Sequence, residues 1–168
     1  MNSPVVKFIA KALGFFVIWY LLYDLWLLPA GDLDRWLSLN IVKVGAGLLE
    51  FFGFDVYAFG RVMGLNEFPG VEIVDGCNGI TAIGLFLGFI YAYPGNWKNK
   101  LSFSVVGVSL IYLVNLLRII LLALTQAYYP SLFDFMHDYS TTTIFYLFIF
   151  VLWMVWVNYS EISFSEAK

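Results

Sequence analysis

The chain has 168 residues, 61% of them hydrophobic and only 12% charged, with a net charge of −3. That balance excludes an ordinary soluble domain, and it offers no basic surface for a nucleic acid. A single cysteine makes neither an internal disulfide nor a Cys-x-x-Cys redox pair, and no Cys/His cluster of zinc type is present.

Several apolar runs approach or exceed the roughly 20 residues needed to cross a bilayer. The sequence therefore reads as an all-α integral membrane protein in one domain spanning residues 1–168. The first run, residues 8–28, follows Lys7 and carries Lys11 in its first turn. It is too long for a signal peptide, and its exit, Leu28-Pro29-Ala30, has no Ala-x-Ala-like cleavage site. A retained span with a cytoplasmic amino end is expected. Asp24, near its far end, either faces the bundle or reaches interfacial water, the second being the plainer choice.

After a polar turn, residues 36–52 read as a helix whose less apolar positions, Asn40, Lys43, Gly47 and Glu50, recur every three to four residues. An amphipathic helix in the interface or packed along the bundle fits that stripe. A true span, with Lys43 and Glu50 turned inward, stays open. Residues 55–75 differ in kind: glycines, Asn66-Glu67 and Pro69 punctuate β-prone pieces at Val56-Tyr57-Ala58 and Val71-Glu72-Ile73-Val74. Such backbone cannot face lipid, because its amides would go unpaired. A small extracytoplasmic hairpin or flap is predicted.

Residues 77–93 form the second span, entered from the flap. Lys98 and Lys100 lie in the short loop that follows, and lysine-bearing loops stay cytoplasmic. Residues 101–127 cross back to Tyr128, Tyr129 and Pro130 at the far interface. A short outer loop over 131–138 holds His137, residues 139–158 make the last span, and a polar tail follows. The count is four spans plus an interfacial helix. Parity then places Cys77, the Arg118 end of its helix and His137 on one side, outside the cell membrane. Were the 36–52 helix to cross, the amino terminus would flip and these three would stay together.

Each candidate has an ordinary reading beside the chemical one. A buried cysteine is usually a small apolar filler. Asp75, however, is a good N-cap, which would set Cys77 in a first helical turn where free amides favour a thiolate. Gly76 and Gly79 would leave the backbone open to close approach by a substrate. Asp75 would also raise the thiol pKa unless it is occupied elsewhere. Arg118 lies roughly 25 Å along its helix from Leu101, and a charge within a span costs about 2.5–3.5 kcal/mol. It needs either a structural partner, with Asp24, Asp75 or Glu72 available, or a role as a fixed cation beside Cys77. Asn115, Ser104 and Ile111 continue its face. His137, flanked by Asp134 and Asp138, is ordinary as a solvated histidine and gains meaning only by its side of the membrane. Thiol, base and cation are the parts of thiol-based acyl transfer.

The run Val71-Glu72-Ile73-Val74-Asp75-Gly76-Cys77-Asn78-Gly79-Ile80, then Asn115-Leu116-Leu117-Arg118-Ile119, then His137 before a last span, resembles the exosortase/archaeosortase family. The resemblance covers about residues 71–158, and the chain looks like a compact form. It implies a membrane-embedded cysteine transpeptidase or protease acting on exported proteins at the outer face of the cytoplasmic membrane. Such substrates end in a sorting tail: a recognition motif, a hydrophobic helix and a basic cluster. Cys77 would be the nucleophile, Arg118 the oxyanion and thiolate stabiliser and His137 the general acid/base. Asn115, Asn78, Gly76 and Asp75 would support them. No metal or organic cofactor is implied. The rival readings are a non-enzymatic membrane scaffold or transport accessory, and a thiol-dependent lipid acyltransferase.

Overall fold

The first helix, α1, runs Pro4–Ala30. Pro4 sits in its first turn, where a missing N–H breaks no bond. The rod widens to π-type turns over Tyr20–Leu27 and stops at Gly31, which is left-handed. In this computed structural model, which describes residues 3–165, the next helix, α2, spans Asp32–Phe51. It starts four residues earlier than its apolar stripe suggests, because Asp32 and Asp34 fill the first turn, where carboxylates suit the free amides.

Three short strands follow: β1 (Val56–Phe59), β2 (Val62–Leu65) and β3 (Val71–Glu72). They form one antiparallel sheet in the order β1-β2-β3. Helix α3 then covers Ile80–Ala92, α4 covers Trp97–Tyr128, and short helical turns from Pro130 to Ser140 lead into α5, Thr141–Ser165. Among the described residues three helices are long and apolar enough to cross a membrane: Pro4–Ala30, Trp97–Tyr128 and Pro130–Ser160. The protein is a multi-pass, mostly helical membrane protein.

The elements depart from the sequence reading in four places. Helix α3 begins at Ile80, not at the cysteine; its 13 residues reach only ~20 Å, short of a ~30 Å hydrocarbon core. Lys98 and Lys100 lie in the first turn of α4 and not in a loop, for Asn96 caps that helix by accepting from the Lys98 amide at 2.9 Å. Lys100 folds back, buried, to donate to the Tyr91 carbonyl at 3.0 Å. The segment expected as an outer loop is helical from Pro130 onward, so His137 rides on a turn continuous with α5. The supposed polar tail continues α5 to Ser165, and residues 166–168 lie outside the described residues.

Two hydrophobic cores share α4. Its C-terminal half, with Leu116, Ile119 and Leu122, packs on Leu37, Ile41 and Leu49 of α2 and on Met63, Leu65, Val71 and Ile73 of the sheet region. Its N-terminal half joins Phe86 and Ile90 of α3 and Ile149, Leu152 and Trp156 of α5. Gly107 makes room for that second core, since a Cβ there would stand 2.1 Å from the Phe86 ring. Helix α1 lies outside both cores. It meets α3 through Phe8, edge-on to Phe89 and Tyr93, and through Trp19, whose ring fills the space over Gly84.

Candidate active site

Cys77 stands in the turn between β3 and α3, where the two cores meet. Gly76 and Gly79 bracket it at φ 85° and 88°, left-handed values that a side chain resists. The turn closes with the Cys77 amide donating to the Val74 carbonyl at 3.0 Å. The expectation that Asp75 caps a helix holding Cys77 is overturned. Asp75 pairs with Arg61, the N-cap position falls on Gly79, and Asn78 leads into it with an Asx turn, its Oδ1 accepting from the Ile80 amide at 3.1 Å. Cys77 therefore precedes the helix. The carboxylate two residues away is the one the sequence left as a concern, and it is occupied by a guanidinium.

Three elements clamp this turn, each at a different residue. Arg61, in the β1–β2 turn, holds Asp75 and also donates to Ser38 of α2 at 3.1 Å. Asn115 of α4 donates from Nδ2 to the Cys77 carbonyl at 3.1 Å. Asp34 of α2 accepts from Asn78 Nδ2 at 2.6 Å and from the Tyr23 hydroxyl of α1 at 2.8 Å. Asp34 and Ser38 are fully buried, and Asn78 and Asn115 nearly so. Buried polar groups persist when partnered, and losing one partner costs about 1–3 kcal/mol. The turn is consequently fixed by directional bonds from α2, the sheet and α4.

Cys77 opens onto a cavity of about 270 Å³, whose wall also includes Arg118, His137, Asp138, Thr142 and Phe145. The structure thus brings the three residues singled out in the sequence to one chamber. Cys77 Sγ lies 3.9 Å from His137 Nε2, and His137 Nδ1 lies 2.8 Å from Asp138 Oδ1. A proton on Nδ1, facing the carboxylate, leaves the Nε2 lone pair toward the thiol. Arg118 donates from Nη2 to Thr142 Oγ1 at 3.3 Å, and Thr142 in turn donates to the His137 carbonyl at 2.8 Å. The guanidinium carbon sits 5.9 Å from the centre of the Phe145 ring, within cation–π range. Asp24 and Glu72, offered as structural partners for Arg118, are exposed, and Asp75 is held by Arg61.

The spacing of Asn115 and Arg118 now has a mechanical meaning. Residues three apart share a helix face, so α4 pins the cysteine turn with one and presents a cation to the cavity with the other. Sequence reasoning missed Asp34, Tyr23, Arg61, Thr142 and the orienting position of Asp138. Only Asp138, adjacent to the lone histidine, carried a signal. Among the described residues no group of three or more His, Cys, Asp or Glu is placed to hold a metal ion.

Residues 3–154 match the family model described as Transmembrane exosortase. The chain belongs to that family. Within the wider exosortase/archaeosortase group it is 28% identical over 159 residues to a probable archaeosortase D of Methanocaldococcus jannaschii, covering 93% of this chain and 91% of that protein. No solved structure matches the chain. Exosortase-family membership suggests a membrane protein-sorting transpeptidase with exported proteins as substrates.

Proposed function

We propose that this exosortase-family protein is a cysteine transpeptidase or protease that cleaves a C-terminal sorting tail from exported proteins at the outer face of the cytoplasmic membrane. The observation that carries the reading is the 3.9 Å approach of Cys77 Sγ to His137 Nε2 in a chamber that also holds Arg118. His137 takes the thiol proton, and the Cys77 thiolate attacks the carbonyl carbon just outside the substrate's hydrophobic helix. Arg118 faces the oxyanion that develops, worth about 10²- to 10³-fold in rate when such a donor is removed. The tetrahedral intermediate collapses as the C–N bond breaks, and His137 returns its proton to the leaving amine. An amine or water then attacks the thioester and releases the cysteine.

Four crossings serve this arrangement if α3 spans together with the turn before it, α2 staying packed against the bundle on the outer side. The short α3 then sets the thiol below the membrane surface, near where a substrate helix ends. The direct test is processing of a co-expressed exported protein that ends in a hydrophobic helix and a basic cluster. Cys77→Ala should abolish it while the protein still inserts at normal abundance, and processing that survives in the variant would sink the reading.

A further inference from the structure

The sheet that clamps the cysteine turn presents β3 as the edge nearest that turn. Among the described residues strand β3 is paired with β2 alone, in the register Val62↔Glu72 and Met63↔Val71. The Ile73 amide donates to the Arg61 carbonyl at 2.9 Å, beside that pairing. In an antiparallel ladder, alternate residues point both backbone groups at the partner. Val71 and Ile73 face β2, so the Glu72 N–H and C=O point away from it, along the free edge.

A cleft of about 520 Å³ runs beside this edge. Glu72 and Val74 line one wall, and Pro130, Phe133, Asp134 and His137 line the other. His137 is also in the wall of the Cys77 chamber, so the cleft and the chamber adjoin at that side chain. Glu72 and Asp134 are exposed, and no lysine or arginine is among the residues lining the cleft. A free strand edge, two carboxylates and a wall shared with the chamber define the occupant by its chemistry.

We propose that an extended polypeptide segment bearing a basic side chain docks in this cleft as a fourth strand on β3, presenting the next carbonyl to Cys77. Strand addition gives affinity through main-chain bonds, and the acidic walls select the side chain. The proposal deepens the transpeptidase reading and rests on it for the identity of the segment: the part of the substrate that precedes its hydrophobic helix. Docking itself requires no thiol, so the two can fail separately.

The experiment uses the full-length Cys77→Ala protein in nanodiscs and photo-crosslinking decapeptides. These are alanine-serine sequences carrying one benzoylphenylalanine and one central Lys, Gln or Glu. The Lys peptide should crosslink to residues 70–74 and 130–137, about three- to tenfold more than the Glu peptide, as expected for one charge meeting two exposed carboxylates. N-methylation of alternate backbone amides should abolish the crosslinks, which a lipid-like or purely ionic mode would not predict. Glu72→Lys combined with Asp134→Lys should invert the charge order. Equal yields for the Lys and Glu peptides, crosslinks elsewhere, or full crosslinking by the N-methylated peptide would each overturn the proposal. Charge-ordered crosslinks at these residues would stand even if Cys77 proved dispensable for processing, and that pairing of results would remove only the catalytic reading.

Discussion

The two halves of α4 are packed by different means. Around its N-terminal half, α3 and α5 fit by shape: Phe86 lies in the gap at Gly107, and Phe103 packs on Trp156 with ring centres 5.1 Å apart. Around its C-terminal half, α2 and the sheet are also apolar, but a buried polar network runs between them through Asp34, Ser38, Asn78 and Asn115. Shape packing tolerates small sliding, whereas hydrogen bonds fix atoms to tenths of an ångström. A nucleophile requires the second kind of support, and the cysteine turn is found where that support is.

The comparison is sharpened by perturbing each half and reading both stability and the site. Arg118→Ala, in the C-terminal half, should have the largest effect. Processing of a tailed substrate is expected to fall by about 10²- to 10³-fold, with Arg118→Lys keeping part of it. Unchanged processing in Arg118→Ala would remove the cation from the mechanism. Next comes Gly107→Val, which drives a side chain into the Phe86 ring, now 2.1 Å from where its Cβ would stand. A destabilisation of about 1–3 kcal/mol should appear as lower membrane abundance and an earlier thermal transition. Iodoacetamide should still label Cys77 at the wild-type rate in the folded fraction, because the clamps are intact.

Asp34→Ala should move both readouts. It strands the Tyr23 hydroxyl and the Asn78 amide, costing about 1–3 kcal/mol, and it should also change the Cys77 labelling rate because the turn loses its α2 clamp. If labelling in Asp34→Ala and Gly107→Val moved together, the division between the halves would be wrong. The smallest effect is assigned to Asp138→Asn. Its partner His137 is more than a third exposed, so processing should fall only about two- to fivefold, read against an unchanged melting temperature.

Much of this was readable in the chain. The apolar runs declare helices because a bilayer demands length, and a lone cysteine, a charge within a span and a lone histidine are conspicuous by composition. Asn115 and Arg118 share a face by helical period alone, and that face turns to the cysteine turn and its chamber. What stayed hidden is what depends on distant partners. Asp75 looks like a cap until Arg61, fourteen residues away, claims it, and then Asn78 moves the helix start to Ile80. Asp34 sits in a Gly-Asp-Leu-Asp-Arg turn that looks solvated, and only the approach of Tyr23 and Asn78 explains its complete burial. The stretch from Pro130 to Ser140 reads as a loop because of its proline, aspartates and histidine, yet it winds into helical turns continuous with α5.

That last continuity has a mechanical consequence. His137 sits at one end of a rod whose buried contacts run from Phe145 through Ile149 and Leu152 to Trp156, the last some 30 Å away at ~1.5 Å per residue. A tilt of the whole rod by two degrees about its Trp156 end would carry the imidazole roughly 1 Å, a displacement that can cost a reacting pair about a hundredfold. Under the proposed mechanism the Cys77–His137 contact would sit at a lever's tip, and bilayer thickness, by setting the rod's tilt, would become a control on reactivity.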